Sequence, residues 1–363
     1  MKIKQLKKKI LVVLSLVLVV ISCQKETEEE RVQYFSKLTG IISPFLEYKP
    51  RGELSEFDDE SRYYEVKYDD ESRLSEISFY KGGRPSNDSY FYAHRVRYDY
   101  VAQRKVRTYY NITGKKSTMW RHYYLGDNVH KEVFELDDNG HPVVLKLYDS
   151  LDQRISNGLN IFEYNVEYQS DGSFVQEQRD SLNNPKTLTD YFPFERAIIS
   201  TDAFGHLYRI SNVDDDNNLV RQDSAGFAEV VFDFDQYGNE RAWRFYNEMG
   251  ELTKRKAYKD LDYGYAQWIY EYNWIVEELG KVKGFKQLLY DENTIEVNDN
   301  FSIHSTSYEM NLAGNTISIE YHDKYGNKTN HNGVGYHRLE INYDANGNRI
   351  SRIKFDSDGN EVQ

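Results

Sequence analysis

From about residue 60 onward, the chain consists of short runs rich in Tyr, Phe, Val and Ile with alternating charged residues. Residues 143–148 and 349–355 are examples, and each run is about seven residues long, near the ordinary length of a strand. Aromatic and β-branched residues of this kind favour strands, in which they pack across neighbouring chains. The pattern predicts short antiparallel β-strands.

A four-residue motif that begins with Asp or Asn and ends with Gly closes most of these runs. We expect the Asx side chain to accept hydrogen bonds from the amides two and three residues on, as in a type I turn. The Gly should adopt the left-handed conformation of a bulged hairpin. The expected structural turn residues include Asp235, Gly238, Gly250, Gly314, Gly326, Asp344, Gly347 and Gly359.

The motifs recur in pairs, and the first motif of each pair steps by about 33 residues along the chain. We therefore expect a repeat domain over residues 60–363, with about eight or nine units and one disrupted unit at 264–294. A single hairpin is marginally stable, so the units must stack. The fold predicted is all-β, an elongated antiparallel repeat sheet of stacked hairpins and meanders.

Residues 31–59 have a different pattern. Their apolar residues are spaced three or four apart, as on an amphipathic helix, and Gly40 and Pro44 limit its length. We expect a short helical segment here. The apolar positions are Val32, Phe35, Leu38, Ile41, Ile42 and Phe45.

The first 22 residues have the features of a secretory signal peptide. Five lysines precede an apolar run of about a dozen residues, too short to span a membrane comfortably. The run ends in Val20-Ile21-Ser22-Cys23, which resembles the lipobox of bacterial lipoproteins. The resemblance implies that Cys23 is acylated, with fatty acids such as palmitate, and becomes the mature N-terminus. An uncleaved signal anchor is the alternative.

Residues 23–30 form an acidic tether, and its Lys-plus-acidic composition resembles the sequences that send some Bacteroidetes lipoproteins to the outside of the outer membrane. A flexible tether without sorting meaning is the alternative. The resemblance implies a lipid-anchored outer-membrane protein, exposed at the surface or facing the periplasm.

The repeat motifs also resemble those of YD-repeat or Rhs-like proteins, whose signature is Tyr-Asp-x-x-Gly. INYDANGNRISRIKFDSDGN at residues 341–360 is the nearest stretch, and most other units are degenerate. The very long array and C-terminal toxin of large Rhs polypeptides have no counterpart in the chain. A toxin-enclosing shell is therefore not implied.

Net charge and cysteine count argue against several classes of function and site. The net charge is −13, and removal of residues 1–22 would take away five Lys and no acid, which moves it to −18. A strongly acidic body disfavours nucleic-acid binding, because phosphate contacts need a basic surface. With one Cys, neither a disulfide framework nor a Cys-based metal site is possible.

No motif for catalysis, phosphate binding or metal binding is found, so we expect no catalytic residue, no metal and no cofactor. His141 and His206 occupy a turn position that is Asn elsewhere. Acidic clusters at 214–218 and 356–360 leave calcium as an alternative, although both lack the distal Glu of an EF-hand loop.

The densest aromatic region suggests a binding surface formed by Trp268, Tyr270, Tyr272 and Trp274. Exposed rings could stack on a sugar or anchor a protein. The alternative is that these rings pack in the core. We expect a non-catalytic envelope lipoprotein with a protein or glycan partner or a structural role. A glycan hydrolase, and an immunity-like or outer-membrane assembly component, are the alternatives.

Overall fold

The computed structural model describes residues 31–38, 42–56, 62–119, 128–256, 263–344 and 347–363. The expected signal peptide, Cys23 and the acidic tether lie outside these residues. The described strands are Arg31–Leu38 (β1), Pro50–Glu53 (β2), Arg62–Tyr68 (β3), Leu74–Lys81 (β4), Arg84–Pro85 (β5), Arg95–Tyr100 (β6), Arg104–Tyr110 (β7), Lys131–Leu136 (β8), Pro142–Tyr148 (β9), Glu163–Tyr168 (β10), Phe174–Arg179 (β11), Pro185–Lys186 (β12), Arg196–Thr201 (β13), Leu207–Asn212 (β14), Glu229–Phe234 (β15), Glu240–Tyr246 (β16), Gln267–Val276 (β17), Lys281–Tyr290 (β18), Ser305–Met310 (β19), Thr316–His322 (β20), Arg338–Tyr343 (β21), Arg349–Phe355 (β22) and Glu361–Val362 (β23).

All of these strands belong to one antiparallel sheet, which confirms the all-β class. The sheet is a serial meander of hairpins, because each long strand pairs with the next long strand in the chain, from β3 and β4 to β21 and β22. In the described part of the chain no helix has the length and apolar character needed to cross a membrane.

The Asx-to-Gly motifs form tight turns. In the motif at 235–238 the Asp235 Oδ1 accepts hydrogen bonds from the amides of Tyr237 and Asn239, both at 2.9 Å. The second amide thus lies four residues after Asp235, whereas we expected it three residues after. Gly238 N donates to Asp235 O at 2.9 Å with φ at 75°. Positive φ angles also occur at Gly250, Gly314, Gly326, Gly347 and Gly359, and at Asn183 and Asn217 where Asn replaces Gly. The Asp344 turn has the same bond to Gly347 N.

The unit expected to be disrupted is the hairpin of β17 and β18. Its strands are ten residues each, whereas the others that form hairpins have six to eight. Its turn lies at Glu277–Gly280, where Gly280 N donates to Glu277 O and φ is 63°. Both strands are therefore longer than in the other hairpins, and the turn keeps the backbone bond and the positive φ but begins with Glu in place of Asp or Asn.

The helix expected within residues 31–59 is wrong for the described residues. Residues 31–38 form β1, whose partners are β2 and β3. The spacing of Phe35 and Leu38 also fits a helix. The backbone groups of β1, however, pair with those of β3, about 30 residues further along the chain. The local spacing of apolar residues gives no information about pairing with a distant strand.

Residues 42–51, here called the strap, pack against one face of the sheet, and the last two of them begin β2. The Phe45 ring contacts Phe134 of β8 and Phe174 of β11, with centroids 5.9 and 6.2 Å apart. Ser43 Oγ donates to Gln176 Oε1 of β11 at 2.5 Å, and Arg51 Nη2 donates to Phe204 O, in the turn before β14, at 2.6 Å. The strap thus contacts strands that are distant from one another in the sheet, and each large apolar side chain it buries contributes roughly 1.5–3 kcal/mol.

A charged network holds the strap. Glu47 accepts bonds from Lys105 Nζ at 2.6 Å and from the Tyr98 hydroxyl at 3.0 Å, and it pairs with Arg107 at 3.5 Å. Arg107 is fully buried, pairs with Glu132 at 3.0 Å and donates to Pro44 O at 2.7 Å. Burial opposes ionisation of Glu47, but the two cations and their hydrogen bonds hold its pKa at about 2.

We expect Glu47→Gln to destabilise the protein by roughly 2 kcal/mol at pH 7, because Lys105 loses its carboxylate partner and the buried Arg107 keeps Glu132 but loses its second carboxylate. The folded-state pKa is depressed, so this stabilisation is present above the ordinary value of 4.5 and is lost as the pH falls toward 2. Urea unfolding at pH 7 and at pH 3 would measure both effects. Glu135→Gln, which breaks the partly exposed pair with Lys146, is the control, and we expect less than about 1 kcal/mol. Equal losses in the two variants would contradict the role assigned to Glu47.

Candidate functional site

The long hairpin of β17 and β18 carries a ladder of aromatic rings on one face. Trp268, Tyr270, Tyr272 and Trp274 are half-buried and alternate with the exposed side chains of Glu271, Asn273 and Ile275. Because alternate residues of a strand share a face, all four rings lie on the same side of β17. The structure therefore brings together the four residues that the sequence indicated.

The rings of the ladder contact one another along the strand. Trp268 stacks on Trp243 of β16 with centroids 4.6 Å apart, and Tyr272 stacks on Trp274 at 4.4 Å. Tyr270 lies between them, 5.9 Å from Trp268 and 6.0 Å from Tyr272. The Trp268 end packs against the core, whereas the other end extends beyond it along the lengthened hairpin.

Two neighbouring strands extend the aromatic surface. Phe285 of β18 contacts Tyr272 at 5.8 Å and stacks on Tyr308 of β19 at 4.4 Å. The Arg241 guanidinium lies 5.7 Å from the Tyr272 ring and 5.6 Å from the Trp274 ring. Flat rings and a cation on one sheet face form a platform suited to stacking.

A cavity of about 260 Å³ opens beside the Trp268 end of the ladder. Its lining is largely aromatic but includes an acid, two imidazoles and an amide. The residues are Tyr263, Tyr265, Trp268, Gln287, Leu289, Asp299, Phe301, Ile303, His304, Thr306, Tyr308, Tyr321 and His331. The Trp268 indole Nε1 is buried and has no hydrogen-bond partner. Apolar walls with a few polar groups are typical of sites that bind small polar molecules.

Asp299 is the acid of the cavity, and its environment differs from that of the other turn aspartates. Its Oδ1 accepts the amides of Phe301 and Ile303, both at 2.9 Å, as in the repeat turns. In the exposed turns of Asp214, Asp323 and Asp356 the pKa lies below its ordinary value, with bonds from the turn lowering it. Burial instead raises the pKa of Asp299 to about 6. Its carboxyl is thus poised to change its protonation state near neutral pH.

A second carboxyl lies under the ladder. Glu240 accepts hydrogen bonds from Trp243 Nε1 and from the Tyr270 hydroxyl, and its backbone carbonyl accepts the Tyr272 hydroxyl at 2.7 Å. Burial raises the pKa of Glu240 to about 7. Its bonds to ladder residues position the rings, and it is not part of the cavity lining.

Other residues weighed in the sequence have local structural contacts. His141 and His206 occupy the fifth position of their turns, where their amides donate to Asp137 and Asp202 at 2.8 Å. Asp214 Oδ1 accepts two backbone amides, as does that of Asp356, so each of these oxygens already has partners within its turn.

Sequence reasoning identified the ladder but missed the cavity. Asp299 begins a turn outside the 33-residue register, and the His331 loop comes from the next unit. A local signal was present at 299–302, where Asp and Ser occupy the first and fourth turn positions. The burial that raises the pKa of Asp299 comes from strands distant in sequence and leaves no such signal.

No protein-family model matches the chain, and no curated protein matches it. Among solved structures, a porin-like protein from Bacteroides uniformis ATCC 8492 is similar at 9% identity and a TM-score of 0.27. That match covers 71% of this chain and 89% of the other. A similarity this low supports no conclusion about fold or function.

We expect Asp299→Asn to stabilise the protein at pH 7 by about 1 kcal/mol, because it removes a buried negative charge and retains an oxygen for the two amides. The folded-state pKa of Asp299 is raised, so the penalty is absent below the ordinary value of 3.8, develops between 3.8 and about 6, and is fully present above 6. Thermal unfolding at pH 4 and pH 7 would show the difference. Asp356→Asn should have the opposite sign at pH 7, since the pKa of Asp356 is lowered. The same sign in both variants would contradict this assignment.

Proposed function

We propose that the protein is a lipid-anchored binding protein of the bacterial cell envelope and that the cavity beside Trp268, with the ladder leading to it, binds a glycan. The observation that carries the proposal is one cavity lined by aromatic rings and a half-buried carboxyl, with an indole N–H that has no partner on one of the lining residues. A sugar presents both an apolar ring face and hydroxyl groups. It could stack on the rings, accept from Trp268 and donate to Asp299.

The lengthened hairpin supports a role for this unit beyond that of the other repeats. Insertions in repeat proteins map to loops on one face, often the binding face. Here the extra length of β17 places Tyr272 and Trp274 outside the hydrophobic core. Packing of the core therefore does not explain why these two positions carry aromatic residues. The ladder could thus contact further sugar units of a longer chain. We assign the hairpins of the body to degenerate YD or Rhs-like repeats that act as its scaffold.

A glycan partner fits better than a protein partner. The cavity is small, about 260 Å³, and lies beside a narrow strip of rings, whereas a protein interface needs a broad surface of roughly 800 Å² per partner. A neutral or weakly charged polymer also avoids repulsion from a body that carries a net negative charge. A basic peptide is the rival ligand.

A hydrolase is the second candidate, because both Asp299 and Glu240 have a raised pKa near the same aromatic surface. Glycosidases use two carboxyls that flank the scissile bond. Only Asp299 lines the cavity, and the described bonds of Glu240 go to ladder residues. We therefore favour binding without cleavage.

The binding proposal can be tested with purified protein on a glycan array that includes peptidoglycan fragments, lipopolysaccharide chains and host mucin glycans. Calorimetry would then measure affinity for the strongest glycan. We expect Trp274→Ala to weaken binding by about 5- to 100-fold, the loss of one stacking contact of roughly 1–3 kcal/mol. Trp268→Phe keeps a ring but loses the indole N–H, and it should also weaken binding.

Ile275→Ala is the matched control, since Ile275 neighbours Trp274 but points to the opposite, exposed face. It should bind as the wild type does. Equal affinity of the Trp274→Ala and wild-type proteins, or binding to basic peptides and to no glycan, would contradict the proposal. Release of new reducing ends during incubation, abolished by Asp299→Asn, would establish the hydrolase.

The anchoring proposal rests on Cys23 and is tested separately. Cells grown with a radiolabelled or alkyne-tagged palmitate should label the wild-type protein and not Cys23→Ser. The variant should leave the membrane fraction, because stable anchoring depends on more than one buried acyl chain. Surface proteolysis of intact cells would distinguish the cell surface from the periplasmic side. A labelled Cys23→Ser protein would exclude lipidation at this residue.

A further inference from the structure

A histidine recurs immediately before a strand in four hairpins, each time with its Nδ1 next to a backbone carbonyl oxygen and its ring against another ring. The Nδ1 of His94, His130, His304 and His337 lies 2.9, 2.7, 3.1 and 2.7 Å from a backbone carbonyl oxygen. Each ring meets the edge or face of an aromatic ring at nearly a right angle. The partners of the first three are Tyr80, Tyr110 and Tyr290.

The fourth copy has a different composition. His337 meets His322 where the other copies have Tyr, with centroids 5.3 Å apart and an interplanar angle of 85°. The residue two positions earlier in the strand is Ser78, Thr108 or Leu288 in the first three copies and Glu320 in the fourth. Two substitutions at equivalent positions thus place a second imidazole and a carboxylate beside a histidine that the repeat already fixes.

The tautomer of His337 is set by its surroundings. The carbonyl of Tyr321 can only accept, so Nδ1 of His337 carries the proton and the Nε2 of the neutral ring has a free lone pair. This arrangement, a backbone carbonyl on one nitrogen, is the usual support of a metal-binding histidine. Only 3% of the surface of His337 is exposed, and its Nε2 has no hydrogen-bond partner.

His322 supplies a second buried nitrogen without a partner, its Nδ1. In the copies with Tyr, the equivalent aromatic ring offers no nitrogen. Two buried nitrogens that lack partners are costly, roughly 1–3 kcal/mol each, unless a ligand satisfies them.

Glu320, His322 and His337 offer ligand atoms that all lie within 4.8 Å of one another, the one such group among the described residues. Tetrahedral zinc holds its ligands about 3.3 Å apart, so small side-chain rotations would close the site. The nearby cations are Arg338, Lys286 and Lys328. Arg338 lies 3.9 Å from Glu320 and 3.2 Å from Glu340, so Glu340 would remain its partner if Glu320 turned to a metal.

We propose that Glu320, His322 and His337 form a binding site for a divalent transition-metal ion, with Zn²⁺ as the best fit to two imidazoles and one carboxylate. Three protein ligands leave a fourth position for water. Glu320 and His322 lie on the face of β20 opposite Tyr321, which lines the aromatic cavity. The metal site is therefore separate from the proposed glycan site.

The test is calorimetric titration of the purified full-length protein, carrying no histidine tag, with ZnCl₂. Co²⁺ titration provides a second readout, since tetrahedral coordination gives visible absorption bands. We expect one ion to bind per chain. His322→Tyr should weaken binding by at least about tenfold, because loss even of a group that only supports a ligand costs that much. Glu320→Gln should weaken it as well.

His322→Tyr is designed to keep the fold, since it restores the His–Tyr contact of the other three copies. Its unfolding temperature without metal should match that of the wild type, whereas Zn²⁺ should raise only that of the wild type. His304→Gln removes an equivalent histidine that lacks the other two ligands and should leave Zn²⁺ affinity unchanged. Absence of Zn²⁺ and Co²⁺ binding, or equal binding by wild type and His322→Tyr, would overturn the proposal.

Discussion

The structure depends on the hydrogen bonds that an Asx side chain forms within its own turn. One oxygen of Asp235 holds two backbone amides, and Gly238 supplies the positive φ that closes the hairpin. A turn of fixed length fixes the register of the strands on either side, and a slip of one residue would move every inward side chain to the outer face. The inner face of the whole meander is therefore specified locally, one turn at a time.

A sheet specified in this way still needs something to bury its inner face against, and the strap supplies it. Its contacts reach from β6 and β7 to the turn between β13 and β14, so a single segment links strands that are otherwise joined only to their neighbours. In a linear repeat, stability is close to a sum over adjacent units. The strap adds long-range coupling, and the buried Arg107 fixes its position through bonds to Glu47 and to the Pro44 carbonyl.

The sequence was most informative where the physics is local. The turns, the strand pattern and the repeat follow from short-range chemistry, and the four ladder residues follow from alternation along one strand. The prediction of a helix within 31–59 was wrong, because the partners of β1 lie on β3 and the apolar spacing of Phe35 and Leu38 fits either structure. Asp299, His322 and His337 could not be assigned to their sites from sequence, since residues fifteen or more apart meet only through the sheet register.

The repeat explains how chemically distinct sites can arise in one scaffold. Asp299 and Asp356 form the same backbone turn bonds, yet burial raises the pKa of the first, whereas hydrogen bonds from Asn360 hold the pKa of the second below its ordinary value. His304 and His337 each have Nδ1 next to a backbone carbonyl oxygen, but His337 also has a second imidazole and a carboxylate within reach of one ion. Because the turns alone maintain the register, other positions can change without loss of the hairpin. Specialised chemistry in this fold is therefore expected where a unit departs from its neighbours, and both candidate sites lie in the C-terminal third of the sheet, where β17 and β20 differ from the other units.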